Sequence, residues 1–211
     1  MKILVACEES GVLRRALRAR GHAAWSCDLL PAADMAVCHI QADALEVAHD
    51  PAYRWDAIVA FPPCTYLTNS GARWLKDHWV TAARAPGGRY WHDGSERRRL
   101  QKEAVDFVLS LWSAIKEVGK GAIENPRGML SNLWRRPSQE IHPWQHGHSE
   151  EKITALWLHG LPKLEPSNIV PPPYEQRVWR MPPGPERARL RGQTYAGIGE
   201  AMAEQWFGVA P

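Results

Sequence analysis

Residues 55–64 read WDAIVAFPPC and contain the clearest strand signal in the chain. From residue 55 to residue 61 the run is largely apolar, which is typical of a strand buried on both faces of a sheet. Pro62 and Pro63 end the strand and stiffen the turn after it, because proline fixes its own φ and has no N–H to donate. Cys64 is therefore expected to be held just beyond the end of a central strand.

Apolar runs and helical patterns alternate on either side of this strand. Further strands are predicted at residues 2–7, 22–27, 37–41, 122–124 and 153–158, and helices at 12–20 and 95–115, the second capped by Ser95. This alternation predicts an α/β fold, with a mostly parallel twisted sheet and helices on both faces. The length of 211 residues suits a single domain.

Composition excludes some classes of protein. The chain is 45% hydrophobic and 23% charged with a net charge of +3, which neither requires nor excludes a nucleic-acid partner. It shows no secretory leader and no apolar stretch long enough to cross a bilayer, so a cytoplasmic location and no membrane partner are expected. The four cysteines form no CxxC pair, and His142, His146 and His148 lack the residues that would complete a ligand set, so no metal is expected.

Basic and aromatic residues leave two interpretations open. Basic side chains crowd residues 84–102 and 177–191, and several of the eleven tryptophans stand beside arginine. Such runs are typical of solvated helix faces and loops, and tryptophan is most often a core residue. Arginine next to an aromatic ring also suits phosphates and exposed bases.

Chemically active side chains follow the predicted strands at the points where they end. Because the carboxyl ends of parallel strands meet at one edge of a sheet, ligands gather there. We expect one rim to collect Glu8, Asp28, Asp43, Cys64 and Glu124. A nucleophile among carboxylates indicates an active site, although acidic residues and prolines also punctuate ordinary loops.

Two of these turns are stiffened by proline. Cys64 follows Pro63, and Glu124 stands in the sequence Ile-Glu-Asn-Pro, where Pro126 fixes the exit from its strand. The alternatives are a cysteine packed as a small hydrophobe and a glutamate that caps a helix or forms a salt bridge.

The order Pro-Pro-Cys and then Glu-Asn-Pro resembles the two catalytic motifs of the DNA cytosine-5 methyltransferases. Residues 5–11 (VACEESG) stand where that family has its glycine-rich turn for S-adenosylmethionine (SAM), and residues 65–71 (TYLTNSG) resemble the start of its mobile loop. Residues 194–206 (TYAGIGEAMAEQW) resemble the closing motif that returns to the SAM pocket. The likeness spans the chain and is greatest to the compact versions carried by phages and prophages.

The resemblance implies a Rossmann-like SAM-dependent methyltransferase fold, with residues 1–211 as one catalytic domain acting as a monomer in a bacterial host. It implies a mobile catalytic loop at about 65–95 and a minimal DNA-recognition segment at about 160–193. The implied partner is double-stranded DNA with a flipped cytosine, and the implied reaction is methyl transfer to C5 through a Cys64–C6 adduct, with Glu124 contacting N3.

The same resemblance assigns the other site residues. SAM contacts fall on the turn after the first strand, on acidic residues after the next two, and on the closing motif: Cys7, Glu8, Ser10, Gly11, Asp28 (ribose), Leu29, Asp43 (near adenine), Pro62, Gly199 and Ala201. DNA contacts are Pro63, Thr65, Ser70, Asn125, Pro126, Lys152, Thr154, Arg177 and Arg180.

The chain departs from the family in two places. Its SAM turn has one glycine, Gly11, where the family has several, and no clean counterpart of the base-contacting arginine motif follows Glu124. Three alternatives therefore stay open: methylation of an amino group of cytosine or adenine, cysteine chemistry on free pyrimidine nucleotides or with another group, and a non-catalytic protein that binds DNA or SAM.

Overall fold

The computed structural model describes residues 1–82, 86–176, 192 and 194–209. Nine strands occur in this part of the chain: β1 (Lys2–Ala6), β2 (Ala23–Asp28), β3 (His39–Gln41), β4 (Ala57–Ala60), β5 (His78–Thr81), β6 (Arg89–His92), β7 (Gly121–Pro126), β8 (Gln139–Ile141) and β9 (Thr154–His159). Its α-helices are α1 (Val12–Ala19), α2 (Ala44–His49), α3 (Ser95–Val118), α4 (Leu130–Leu133) and α5 (Ala196–Phe207).

Seven strands form one sheet in the order β3-β2-β1-β4-β7-β9-β8. The first five run parallel, and β9 runs antiparallel to both of its neighbours. The predicted α/β fold with a mostly parallel sheet is confirmed. The reversed direction of β9 is a feature that its apolar pattern did not reveal.

Helices cover both faces of this sheet because its central strands are apolar on both sides. In β1, Ile3 and Val5 pack with α1 and α5, whereas Leu4 and Ala6 face the side of α2 and α3. All residues of β4 are fully buried.

The long helix α3 begins one residue differently from its prediction. Its N-cap is Gly94 and not Ser95, whose backbone N–H donates to Asp93 Oδ1 at 2.8 Å. It ends before Gly119, as predicted, because that glycine adopts φ 86°, a conformation that side chains disfavour.

The order of the strands reverses at β1, and this fixes where a crevice forms. The chain passes from β1 to β2 on one side, and β4 lies on the other side of β1. Ligands of such sheets bind beyond the carboxyl ends of the strands at this switch point. The turns that follow β1 and β4 contain Glu8 and Cys64 respectively.

The predicted catalytic loop contains ordered elements. A 3-10 helix spans Asn69–Leu75, and β5 and β6 pair as an antiparallel hairpin. The base of the hairpin is closed, because Asp77 Oδ1 accepts a hydrogen bond from Gly94 N at 2.8 Å and Arg98 bonds both Asp77 and the Leu75 carbonyl. A side chain at Gly94 would collide with that carbonyl, so glycine is required there.

The predicted recognition segment, 160–193, is described up to Gln176 and at Gly192; the rest, with Arg177 and Arg180, lies outside the described residues. None of the helices in the described ranges is both long and apolar enough to cross a membrane.

Candidate active site at the strand ends

The Pro-Pro-Cys turn is fixed from several directions. The carbonyl of Cys64 accepts a hydrogen bond from Leu67 N at 2.9 Å, and Leu67 is fully buried in the core. From α3, Gln101 donates to the Tyr66 carbonyl at 3.2 Å. Cys64 itself is partly exposed, which excludes the interpretation of a cysteine sealed in the core. Its position is thus set by packing around it while its sulfur stays reachable.

The Glu-Asn-Pro turn is bonded directly to the Pro-Pro-Cys turn. Their strands, β4 and β7, are parallel neighbours with Ala60 opposite Ile123. Beyond that pair, Asn125 Nδ2 donates to the Pro62 carbonyl at 2.8 Å inside the core. The Asn125 side chain is buried and holds the two turns together, and its contact with substrate stays a prediction.

Glu124 lies among two other predicted site residues. Its carboxyl is hydrogen-bonded to the Thr154 side chain and is attracted by the charge of Lys152. Removal from water nevertheless dominates and raises the pKa of Glu124. Thr154 pairs with Pro126 across β7 and β9, and the Lys152 ammonium lies 5.6 Å from the Tyr195 ring centre. The structure thus brings Glu124, Lys152 and Thr154 together, and their contact with substrate stays a prediction.

A cavity of about 310 Å³ opens beside Cys64, a volume typical of small-molecule sites. Two predicted DNA contacts, Thr65 and Ser70, lie in its wall. Among the described residues, the wall does not include Glu124. The lining is Cys64, Thr65, Thr68, Ser70, Gly71, Trp74 and Arg97.

Arg97 is the most informative residue of this wall that sequence reasoning missed. Its guanidinium donates to the Thr65 carbonyl at 3.2 Å and lies 5.2 Å from the Tyr66 ring centre. Its Nε is buried and has no hydrogen-bond partner within the described ranges. A side chain at Gly71 would have to displace the Arg97 guanidinium. The helical spacing of Arg97 and Gln101, four residues apart, was the available signal that one face of α3 meets the turn.

A second, smaller cavity of about 90 Å³ lies at the carboxyl ends of β1 to β4. It brings together four of the predicted cofactor contacts. Pro63, predicted to contact substrate, is found here, and Ala44 and Phe107 were not predicted. The lining is Cys7, Asp28, Leu29, Asp43, Ala44, Pro63 and Phe107.

Each acidic residue of this cavity has one carboxylate oxygen that accepts a hydrogen bond from a nearby backbone N–H. Asp28 Oδ1 accepts a hydrogen bond from Leu30 N at 2.9 Å, and Asp43 Oδ1 caps α2 by accepting from Leu45 N at 2.7 Å. Cys7 adopts φ 59°, a left-handed conformation that is strained for a residue with a side chain. Burial, with the nearby charge of Asp28 next, raises the pKa of its thiol, so Cys7 is a wall residue and not a nucleophile.

Glu8, a predicted cofactor contact, does not line the smaller cavity, and its contact with SAM stays a prediction. Its two carboxylate oxygens accept hydrogen bonds from Leu13 N at 2.7 Å and Arg14 N at 3.3 Å, so it binds the start of α1. Burial raises its pKa to about 7 although these N–H groups oppose the change. Two neighbours of Glu8 also stabilise the start of α1. The backbone carbonyl of Ser10 accepts a hydrogen bond from the Arg15 side chain at 2.9 Å, and Gly11 adopts φ 68° as the N-cap of α1.

The predicted SAM contacts of Gly199 and Ala201 likewise stay predictions. Both are buried in α5, which packs along α1, and a side chain at Gly199 would press on Val12. They therefore set the spacing of two helices and do not line either cavity. Pro62 is likewise buried, and its carbonyl is occupied by Asn125.

Four tryptophans follow the core interpretation, since Trp55, Trp112, Trp157 and Trp206 are buried. Two tryptophans differ: Trp79 and Trp91 in the hairpin are exposed. No group of side chains suited to a metal ion is found in the described part of the chain.

Comparison with known proteins identifies no relative. No family model matches the chain, and no curated protein sequence matches it. Function is therefore inferred from the two cavities and the turn between them.

Proposed function

We propose that this protein is a SAM-dependent methyltransferase that modifies C5 of cytosine in DNA, with Cys64 as the nucleophile. The observation that carries the proposal is the turn shared by the two cavities. Pro63 lines one cavity and the next residue, Cys64, lines the other. A donor bound in the first cavity and an acceptor in the second would thus be separated by one turn, which Asn125 holds at Pro62.

The Cys64 cavity suits a flipped pyrimidine. The Cys64 sulfur, as thiolate, adds to C6 of the ring, and the electron pair of the C5–C6 bond becomes available at C5. The Arg97 guanidinium in the same wall favours the thiolate by its positive charge. Sequence reasoning expected a nearby arginine but could not say which one.

Glu124 acts on the opposite edge of the base, on the neighbouring strand. Removal from water raises the pKa of Glu124 and so favours its protonated form, which is the form that can donate a proton to N3. Ring protonation draws electrons from C6 and makes the thiolate addition easier. After C5 has received the methyl group and the sulfonium donor has left as a neutral thioether, water takes up the C5 proton, the Cys64 sulfur leaves C6 as a thiolate and N3 returns its proton to Glu124, which restores the aromatic ring.

The smaller cavity fits the adenosine half of SAM by its chemistry. The carboxylates of Asp28 and Asp43 can accept from hydroxyl and amino groups, and Leu29 and Phe107 provide apolar surface for a purine. The volume of about 90 Å³ holds only part of such a molecule, so the remainder would lie across the open rim. SAM supplies the methyl group, on a sulfonium, that C5 receives.

The fold supports a nucleotide-type cofactor at this place. The order β3-β2-β1-β4-β7 is the 3-2-1-4-5 order of Rossmann-like sheets, and the cavity lies at the switch point between β1 and β4. DNA contact by Arg177 and Arg180, a monomeric state and a mobile loop stay predictions.

The test uses labelled SAM and duplex DNA with the parent protein, Cys64→Ser and Cys38→Ser as a matched control. Cys38 is half-buried and accepts from Arg14 at 3.1 Å, away from both cavities, and serine can accept the same bond. We expect 5-methylcytosine from the parent and the control and at least about a 10³-fold loss in Cys64→Ser. DNA with 5-fluorocytosine should form a covalent adduct on Cys64, because fluorine at C5 cannot leave as a proton does.

Two results would contradict the proposal. One is full activity in Cys64→Ser. The other is N4-methylcytosine or N6-methyladenine as the product, because methylation of an amino group needs no adduct on a thiol.

A further inference from the structure

The β5–β6 hairpin has two unlike faces. Residues opposite each other in an antiparallel pair point to the same side, and neighbours along a strand alternate. Trp79 opposite Trp91 and Thr81 opposite Arg89 therefore form one face, the outer face. His78 opposite His92 and Val80 opposite Tyr90 form the other, the inner face.

The inner face fastens the hairpin to the Cys64 cavity. The His92 and His78 rings lie 4.9 and 5.5 Å from the Trp74 ring, and His92 Nε2 bonds the Trp74 carbonyl at 2.9 Å. Trp74 is itself part of the cavity wall. The hairpin is thus attached to the place where the proposed target base would sit.

The outer face presents aromatic rings to solvent. Trp79 is 58% and Trp91 53% exposed, although their ring centres are only 5.5 Å apart. The Arg89 guanidinium lies 4.8 Å from the Trp79 ring centre. Between His78 and His92 the sequence has two arginines and no carboxylate. Exposed tryptophans beside an arginine suit a partner that has both flat rings and negative charge.

We infer that the outer face of the hairpin binds the DNA strand that flanks the target cytosine, with unpaired bases stacking on Trp79 and Trp91. This inference rests on the proposed function for the identity of the cavity beside Trp74. Rings can stack only on bases that are free of the duplex, so the preferred substrate has unpaired nucleotides next to the target. The Arg89 guanidinium then faces the phosphates of the same strand, and binding weakens as salt rises.

The test measures DNA binding without SAM, by fluorescence anisotropy, for the parent and for Trp79→Ala/Trp91→Ala. The DNA is a duplex with one cytosine inside a short unpaired bubble, compared with the fully paired duplex. Tyr90→Ala is the matched control, since Tyr90 is an exposed aromatic residue of the same hairpin on its inner face. We expect Kd for the bubble to rise roughly tenfold or more in the double variant, and to stay within about twofold of the parent in the control.

A change in the DNA separates stacking from misfolding of a variant. Abasic sites beside the target should weaken binding by the parent but not by the double variant, because the stacking partner is then already missing. An unchanged Kd in the double variant, or equal losses for both proteins on abasic DNA, would overturn the inference. An altered oligomeric state with an unchanged Kd would overturn it too and would assign the face to a second copy of the chain.

The outcomes also distinguish this inference from the proposed function. If the parent methylates DNA but the double variant still binds the bubble tightly, only the inference about the hairpin is overturned. If the double variant binds weakly but the parent forms no 5-methylcytosine, the proposed C5 chemistry is overturned and the DNA-binding face stands.

Discussion

The carboxyl ends of β1 and β7 each have a buried or partly buried glutamate whose pKa is raised by removal from water. They differ in which residue makes the structural hydrogen bonds. Beyond β1, Glu8 itself binds two backbone N–H groups of α1. At the end of β7, the residue after Glu124, Asn125, makes the structural hydrogen bond, to Pro62. Glu124 is thereby left to interact with side chains, which is the arrangement that a chemical role requires.

The largest expected effect is on catalytic activity, which should distinguish Glu124 from Glu8. Glu124→Gln should lower kcat/KM by about 10²–10⁴-fold, because glutamine cannot hand a proton to N3. Glu8→Gln, the matched change, should stay within about tenfold of the parent, since Glu8 lines neither cavity. Initial rates of 5-methylcytosine formation check both. A larger loss in Glu8→Gln would reverse the assignment of roles.

A second, smaller effect is on stability against pH. The pKa of Glu8 is about 7 in the folded protein against an ordinary value of 4.5, so the folded state holds the proton more tightly. Stability from this group is therefore present at low pH and falls as pH rises from 4.5 to 7. Glutamine in Glu8→Gln does not titrate, so this variant does not lose stability in that way. The difference in free energy of unfolding, variant minus parent, should therefore rise by on the order of 3 kcal/mol between pH 5 and pH 8.

Urea unfolding at several pH values measures this difference. Glu124→Gln, run alongside, gives the same comparison for the other turn. A constant difference between Glu8→Gln and the parent across the range would show that Glu8 keeps an ordinary pKa in the folded protein.

The smallest expected effect is on the free energy of unfolding when Asn125 is replaced. Asn125→Ala leaves the buried Pro62 carbonyl without its donor and should lower the free energy of unfolding by about 2 kcal/mol. Asn132→Ala is the control, because that exposed side chain makes no hydrogen bond within the described residues. Activity of Asn125→Ala should fall as the Pro-Pro-Cys turn loosens. Equal stability of the two variants would mean that the bond between the turns is unimportant.

Most strands of the central sheet could be predicted because the inner ones are apolar on both faces. The shortest elements could not. The helix α2 has six residues and β8 has three, too few to show a period. The hairpin reads as a polar loop because one face of it is open to solvent and the other is covered only by Trp74.

The candidate site was predictable where a residue follows a strand directly. Cys7, Asp28 and Asp43 meet in one cavity for that reason. The prediction fails where a side chain turns back, as Glu8 does toward α1, because the sequence does not show side-chain direction. Arg97, Trp74 and Phe107 come from distant segments, and only the packing of α3 against the turn brings them in.

The closed base of the hairpin has a consequence for how such a protein can evolve. Leu75 and Gly94 touch through the backbone, so the chain between them leaves and returns at nearly one point. The length of this segment and its exposed residues can therefore change by mutation, while β4, β7 and the hydrogen bond between their turns keep their alignment. Mutations in the hairpin can thus change the surface available for recognition without changing the geometry around Cys64.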